Sequence, residues 1–387
     1  MSPTTPSAGR GAEARRPFLD ALRGVAIVLM ILNHTGRWWI DRPMGWSRYY
    51  LIYVTVCLAA PIFLFLVGFC LAISLRRAAE VEGKSAAALT RKYLWRGAWV
   101  IAAGWLLNVL VFPEEPLLSG HLPQILSIST LSGGVLQTIG LSILVLPAFG
   151  PLLRHHWARW GLLGLAAALY LGYAAAFERL TVWVGEHRAI AQVVFFDFPP
   201  WPWVAMAMVG LALGRMELDR TEPGARDRFY VTLALAGAVL LAGALAWDLA
   251  LGSSPALGFK RDFILNGYWT PRGGTVVAIV GAVLLSMAAA RWLVEVRGLP
   301  AGWLVLLGQA AFMIYFVHQL IVLTLVKERL DVTMTSWWVY WASNALLLIA
   351  MVLLARAWVP QRAAVKRAVR AGIAALGARV IARLRPA

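Results

Sequence analysis

The sequence predicts an all-α polytopic membrane protein of about ten transmembrane helices with both termini cytoplasmic. Three observations predict it. The chain is 60% hydrophobic and only 14% charged, far from the balance of a soluble domain. Apolar runs recur along its whole length, most of them long enough to cross a hydrocarbon core of about 30 Å. With ten spans and the N-terminus inside, the 36 Lys and Arg residues divide 26 to 10 in favour of the inner segments, which is the bias that orients membrane proteins.

The runs lie at roughly 19–38, 51–75, 94–112, 132–152, 158–176, 200–214, 230–250, 274–290, 303–325 and 336–357. The first is followed by nine others and has no small-residue cleavage site, so it reads as a span and not a cleavable signal. Residues 1–17 are polar and rich in Ser, Thr, Pro, Gly and Arg, the composition of a disordered cytoplasmic N-terminus. The transmembrane domain is 18–358. The basic tail 359–387 spaces apolar residues at helical intervals, as an amphipathic helix in the inner interface does. Nearly all 19 tryptophans fall at span ends, where an aromatic belt belongs. Long loops at 113–131, 177–200 and 251–273 are placed outside, and no span is visibly interrupted. The net charge of +17 follows the inner loops and the tail, so it points to anionic lipid headgroups and away from nucleic acid.

Cys57 and Cys70 both fall in the second run. Thirteen helical residues separate them by about 19 Å, far beyond disulfide reach, so they read as buried free thiols.

Arg23 and His34 stand eleven residues apart in the first run. Eleven steps of about 100° complete three turns to within about 20°, with a rise of about 16 Å. One helix face therefore carries both, the arginine near the inner end and the histidine near the outer. Such groups are costly in a bilayer and usually face a bundle interior or a wet cavity. Asp20 is one turn before Arg23 and pairs with it, either as a boundary ion pair or as part of a site. An imidazole ordinarily titrates near neutrality, so His34 can act as a general base toward a hydroxyl or amine; capping a carbonyl or bonding a neighbouring helix is the plainer role.

Other candidates follow the same two-way reading. His318 in the ninth run falls in the same outer half as His34, with Tyr315 one turn away; it is either bonded within the bundle or a partner in the same cavity. Gln137 needs a polar partner in apolar surroundings, as helix glue or in the wall of an acyl pore. Arg91, Lys92 and Arg96 anchor the inner end of the third span or hold phosphates there. Glu114, Glu115 and His121 read as a solvated outer loop or part of an acceptor site, and His155-His156 as inner surface. No histidine–carboxylate spacing suits a metal, and phosphate-binding glycine loops and a Gly-x-Ser-x-Gly elbow are missing.

Leu19-Asp-Ala-Leu-Arg-Gly24 leading to Asn33-His34 resembles the first helix of the transmembrane acyltransferases. Two branches share the likeness: the acyltransferase type 3 family, whose signature is an arginine and a histidine at this separation, and the heparan-α-glucosaminide N-acetyltransferase catalytic-domain family. Ala60-Pro-Ile-Phe-Leu-Phe-Leu-Val-Gly68 and Gly134-Val-Leu-Gln-Thr-Ile-Gly140 are similar to motifs of the latter. So are Pro200-Trp-Pro-Trp203 leading to Gly210 and Gly214-Arg215, and Leu307-Gly-Gln-Ala-Ala-Phe-Met-Ile-Tyr-Phe-Val-His318. Many relatives carry an acidic residue just before the histidine, where this chain has Asn33. The resemblance implies an acetyl-CoA-type acyltransferase in a bacterial inner membrane, with no metal cofactor. It would move an acyl group from cytoplasmic acyl-CoA to a hydroxyl or amine of a glycan or lipid-linked sugar at the outer face. In that reading His34 and Arg23 are catalytic, and Asp20, Asn33, His318 and Tyr315 support them. Arg91, Lys92, Arg96 and Gln137 bind the acyl donor. The alternative is a transporter or non-catalytic sensor that uses the same Arg and His for substrate or protons.

The charge division sets the first test. Reporter tags at both termini should read as cytoplasmic, and a tag within 251–273 as external; an external C-terminus means that an odd number of spans has been miscounted.

Overall fold

A computed structural model of the chain describes residues 16–41, 57–111, 131–187, 190–191, 193, 198–251 and 273–384. They are mostly helical, and the one strand-like feature among them is an isolated bridge between Ile40 and Met334. Helix α1 is Pro17–Trp39. Helix α2, Ala59–Arg76, ends in a π turn at Arg77–Val81, and α3 is Ala86–Val111. Helix α4, Val135–Val145, tightens into a 3-10 turn at Leu146–Phe149. Helices α5 His156–Glu186, α6 Pro200–Leu218 and α7 Ala225–Leu251 follow. Helix α8, Gly273–Arg291, closes in a π turn at Trp292–Val296. The ninth apolar run is α9, Gly302–Gln309, then α10, Ala311–Gln319, which unwinds into a π segment over Leu320–Arg329. Helix α11 is Trp337–Leu384. Eight of these stretches are long and apolar enough to cross a membrane.

The helices follow the runs, with five main differences. Helix α5 runs on to Glu186, into the expected outer loop 177–200. Helix α2 starts at Ala59 with Pro61 in its first turn, where a missing N–H costs nothing. Cys57 therefore precedes the helix, and both thiols are half-buried, not buried. The short run at 200–214 is a 19-residue helix, because Pro200 and Pro202 begin it and the polar turn Arg215–Leu218 extends it. The ninth run, expected to be unbroken, is interrupted at Ala310, whose N–H is shared by the carbonyls of Leu306 and Leu307. The tail is no separate element: α11 runs on through Pro360 to Leu384. Most of the long loops at 113–131 and 251–273, with Glu114, Glu115 and His121, lies outside the described residues.

The helices pair by letting backbones touch. A Cβ built on Gly24 would stand 2.0 Å from the Leu304 carbonyl oxygen, and one on Gly308 would stand 1.9 Å from that of Asp20. Helices α1 and α9 thus cross with nothing between them at either glycine. Helices α2 and α6 do the same: a Cβ on Gly68 would lie 1.8 Å from the Ala207 oxygen, and one on Gly210 2.0 Å from that of Phe65. The pairs α3 with α4 (Gly97, Gly140) and α7 with α8 (Gly237, Gly281) are looser versions of the same contact. In lipid the hydrophobic effect does little to bring helices together, so close packing of small residues does it.

The two ends of α1 are tied differently. At its start Arg16 bonds Glu217 at 2.5 Å, and the same buried carboxylate takes Arg226 at 2.7 Å, joining α1, α6 and α7. A buried carboxylate is tolerable when it is paired on both oxygens. At its other end Thr35 donates to Asn344 Oδ1 at 2.7 Å, Trp39 Nε1 donates to the Val322 carbonyl at 3.1 Å, and Asp41 N–H donates to Met334 at 3.0 Å. Helix α1 is therefore held along its whole length.

Gly308→Ala should separate α1 from α9 and lower stability by about 1–3 kcal/mol, the usual cost of forcing extra atoms into a packed core. Gly164, with nothing near its would-be Cβ, should accept alanine with no loss. Thermal unfolding in detergent compares the two, and equal tolerance would show that the crossing is not tight.

Candidate active site

One cavity of about 460 Å³ runs along α1, walled also by α2, α3, α4 and the α9–α10 break. From α1 it receives Arg23, Met30, Asn33, His34 and Arg37. These fall at helical spacing, so one face of α1 forms the wall. Arg23 and His34 line the same space, about three turns apart.

Arg23 is anchored three ways. It bonds Asp20 at 2.7 Å, the Gly308 carbonyl at 3.5 Å and the Cys70 sulfur at 3.4 Å. The Gly308 contact has a local cause: the break at Ala310 interrupts the helical ladder, and its carbonyls take side-chain donors instead. Arg362 uses the next one, the Gln309 carbonyl, at 3.2 Å. The Arg23 side chain keeps 26% of its surface exposed, enough to meet a ligand in the cavity.

At the other end His34 Nδ1 and His318 Nε2 are 2.8 Å apart, and the rings are nearly parallel. His318 is fully buried, and its Nδ1 lies 2.8 Å from the Ile314 carbonyl. A carbonyl only accepts, so His318 Nδ1 carries the proton and, in the neutral ring, Nε2 must accept. His34 Nδ1 is then the donor, which leaves the lone pair of His34 on Nε2. Two neutral imidazoles in series thus select one tautomer of His34. Tyr315 lines the cavity and meets the His318 ring edge-on at 5.8 Å.

The remaining candidates divide. Arg96 lines the cavity, together with Tyr93 and Val100 on the same face of α3. Arg91 and Lys92 are on the exposed side of that helix: Lys92 bonds Ser74 at 3.3 Å and lies over the Tyr93 ring. Gln137 is not in the cavity wall. Its Oε1 caps α4 by accepting from Gly134 N–H at 3.1 Å, and its amide fills the space above Gly104. Sequence reasoning passed over most wall residues, Cys70, Arg37 and Gln319 among the polar ones. Cys70 looked like an inert thiol; Arg37 is one turn beyond His34, a spacing that could have been read; Gln319 carries no local signal.

Residues 15–243 match the family described as heparan-alpha-glucosaminide N-acetyltransferase, catalytic. The match takes in Arg23, His34 and all of α1 to α6, and it ends before the α9–α10 break and His318. No curated protein matches the chain.

Proposed function

We propose, for a chain that belongs to the heparan-α-glucosaminide N-acetyltransferase catalytic family, an acyl transfer through the α1 cavity. Membership implies a membrane N-acetyltransferase. Our reading adds that the donor is a cytoplasmic acyl-CoA, with acetyl as the group transferred. The acceptor is a hydroxyl or amine of a glycan or lipid-linked sugar on the far side of the inner membrane. The observation that carries this is that Arg23 and His34 line one cavity and that His34 has its Nε2 lone pair unused.

The basic end of the bundle, with Arg16, Arg76, Arg154, Arg159, Arg215 and Arg226, faces the cytoplasm in this reading. Arg96 and Arg23 meet the phosphates or amides of the donor there. The separation of about 16 Å to His34 is on the scale of an extended pantetheine arm, which brings the thioester beside the imidazole. His34 Nε2 takes the proton of the acceptor as its oxygen or nitrogen attacks the thioester carbonyl, and that proton leaves on the coenzyme sulfur. Attack by His34 itself, giving an acyl-imidazole first, uses the same geometry. His318 is a positioning residue: it holds His34 in the tautomer and orientation that this needs. A transporter would leave the carbonyls of a broken helix open to its cargo, whereas Arg23 and Arg362 take those at Ala310.

Labelled acetyl-CoA given to membranes, followed by fractionation of lipid, glycan and protein, tests the reading. His34→Ala should lower transfer by about 10²–10⁴-fold, the usual cost of a positioned acid–base group, with the protein still folded. His318→Ala should lose less, and His318→Gln should recover part of the rate, since an amide oxygen still accepts from His34 Nδ1; equal loss in both would reduce His318 to packing. Arg23→Lys keeps the charge but loses the planar fork, so calorimetry should show weaker acetyl-CoA binding. Full activity in His34→Ala would refute the mechanism.

A further inference from the structure

Asn33 is a buried amide with no work to do in the fold. Only 8% of its surface is exposed, and its Nδ2 is buried with no hydrogen-bond partner. It nevertheless lines the cavity, one residue before His34. Leaving a buried donor unmade is destabilising, and a leucine or methionine at this position of α1 would avoid that loss. The role of orienting His34 is already taken by His318 at 2.8 Å. As placed, Nδ2 points away from the open space; a half-turn about χ2 exchanges two nearly isosteric ends of the amide and turns N–H toward the cavity.

We infer that Asn33 is a catalytic residue whose amide N–H binds the carbonyl oxygen of the acyl group. This rests on the acyl-transfer reading and goes beyond it, because it assigns the electrophile's oxygen to a named donor. In the step itself the nucleophile, acceptor or His34 Nε2, forms a bond to the thioester carbon. The C=O electron pair moves onto oxygen, which becomes an oxyanion. That pair then re-forms the carbonyl, the C–S bond breaks, and the coenzyme leaves as thiolate to take the proton. A neutral amide donor beside that oxygen gains strength as charge develops on it, which is the property that lowers a barrier and does not merely bind substrate. A carboxylate in the same place would repel the charge. The position thus suits the oxyanion, and the task of orienting the imidazole falls to His318.

The test compares coenzyme A, which lacks the carbonyl, with acetyl-CoA on full-length protein in detergent. Asn33→Ala should cut acetyl transfer by roughly 10²–10³-fold, the loss seen when one such donor is removed. Affinity for coenzyme A should stay within about twofold, and thermal stability should hold or rise as the unmet donor disappears. Asn33→Asp, nearly identical in shape, should be at least as inactive as Asn33→Ala. It also answers the question should the alanine variant fail to fold. Retained turnover in either folded variant overturns the inference, and so does a loss of coenzyme A affinity that parallels the loss of turnover. If wild-type protein binds neither ligand and transfers nothing, the acyl-transfer reading itself fails, an outcome distinct from an active wild type with an indifferent Asn33.

Discussion

Backbone contact at glycine is the constraint on which the rest of this structure depends. At Gly24, Gly68, Gly210 and Gly308 a side chain of any size would fall within about 2 Å of a carbonyl oxygen on the facing helix. Such crossings hold helices together without an aqueous driving force, because short approach multiplies small dispersion contacts. They also fix register, since a crossing between two glycines allows no sliding. The most extensive helix pairings, α2 with α6, α7 with α8, α1 with α9 and α3 with α4, each contain one.

The α1–α9 crossing matters most for chemistry. It brings the Gly308 carbonyl to Arg23, and the break that follows at Ala310 frees that carbonyl to accept. It sets the direction from which α10 leaves, and so brings His318 to His34 across 284 residues of chain. Removing the crossing would loosen the guanidinium at one end and the imidazole pair at the other. Structure and site are therefore coupled through one contact: α1 is both a tightly packed helix of the bundle and a wall of its cavity. The Thr35–Asn344 and Arg16–Glu217 bonds keep that wall straight at its two ends.

What could be read from the sequence was whatever a single helix determines. The shared face of Arg23 and His34 follows from the helical repeat alone, and the Asp20–Arg23 pair follows from one turn of spacing. The motifs that carry the family likeness were visible as words, but their physical content was not: Gly24, Gly68, Gly140, Gly210, Gly214 and Gly308 are the residues at which helices touch. Contacts between distant segments were legible only in outline: the shared depth of His318 and His34 put them in one outer half, but not within 2.8 Å of each other. The split of Arg96 from Arg91 was available in principle, because five residues put them about 140° apart on the helix; Lys92 is only about 40° from Arg96, so spacing alone does not separate that pair. Gln137 was misplaced for a different reason. An amide oxygen in an apolar run can be used by its own helix end: the N-terminus of α4 takes Gln137 Oε1, while its Nε2 stays buried without a partner. The break at Ala310 has no proline to announce it.

The account stands on a ligand lying along α1 in one direction. A structure determined with coenzyme A or a non-hydrolysable acetyl-CoA analogue bound tests that most directly. The account predicts the sulfur beside His34 Nε2, the pantetheine arm along the α1 wall, and the phosphates at the Arg23 and Arg96 end. A coenzyme bound elsewhere on the bundle, or one whose sulfur stops at Arg23 with His34 out of reach, would contradict it.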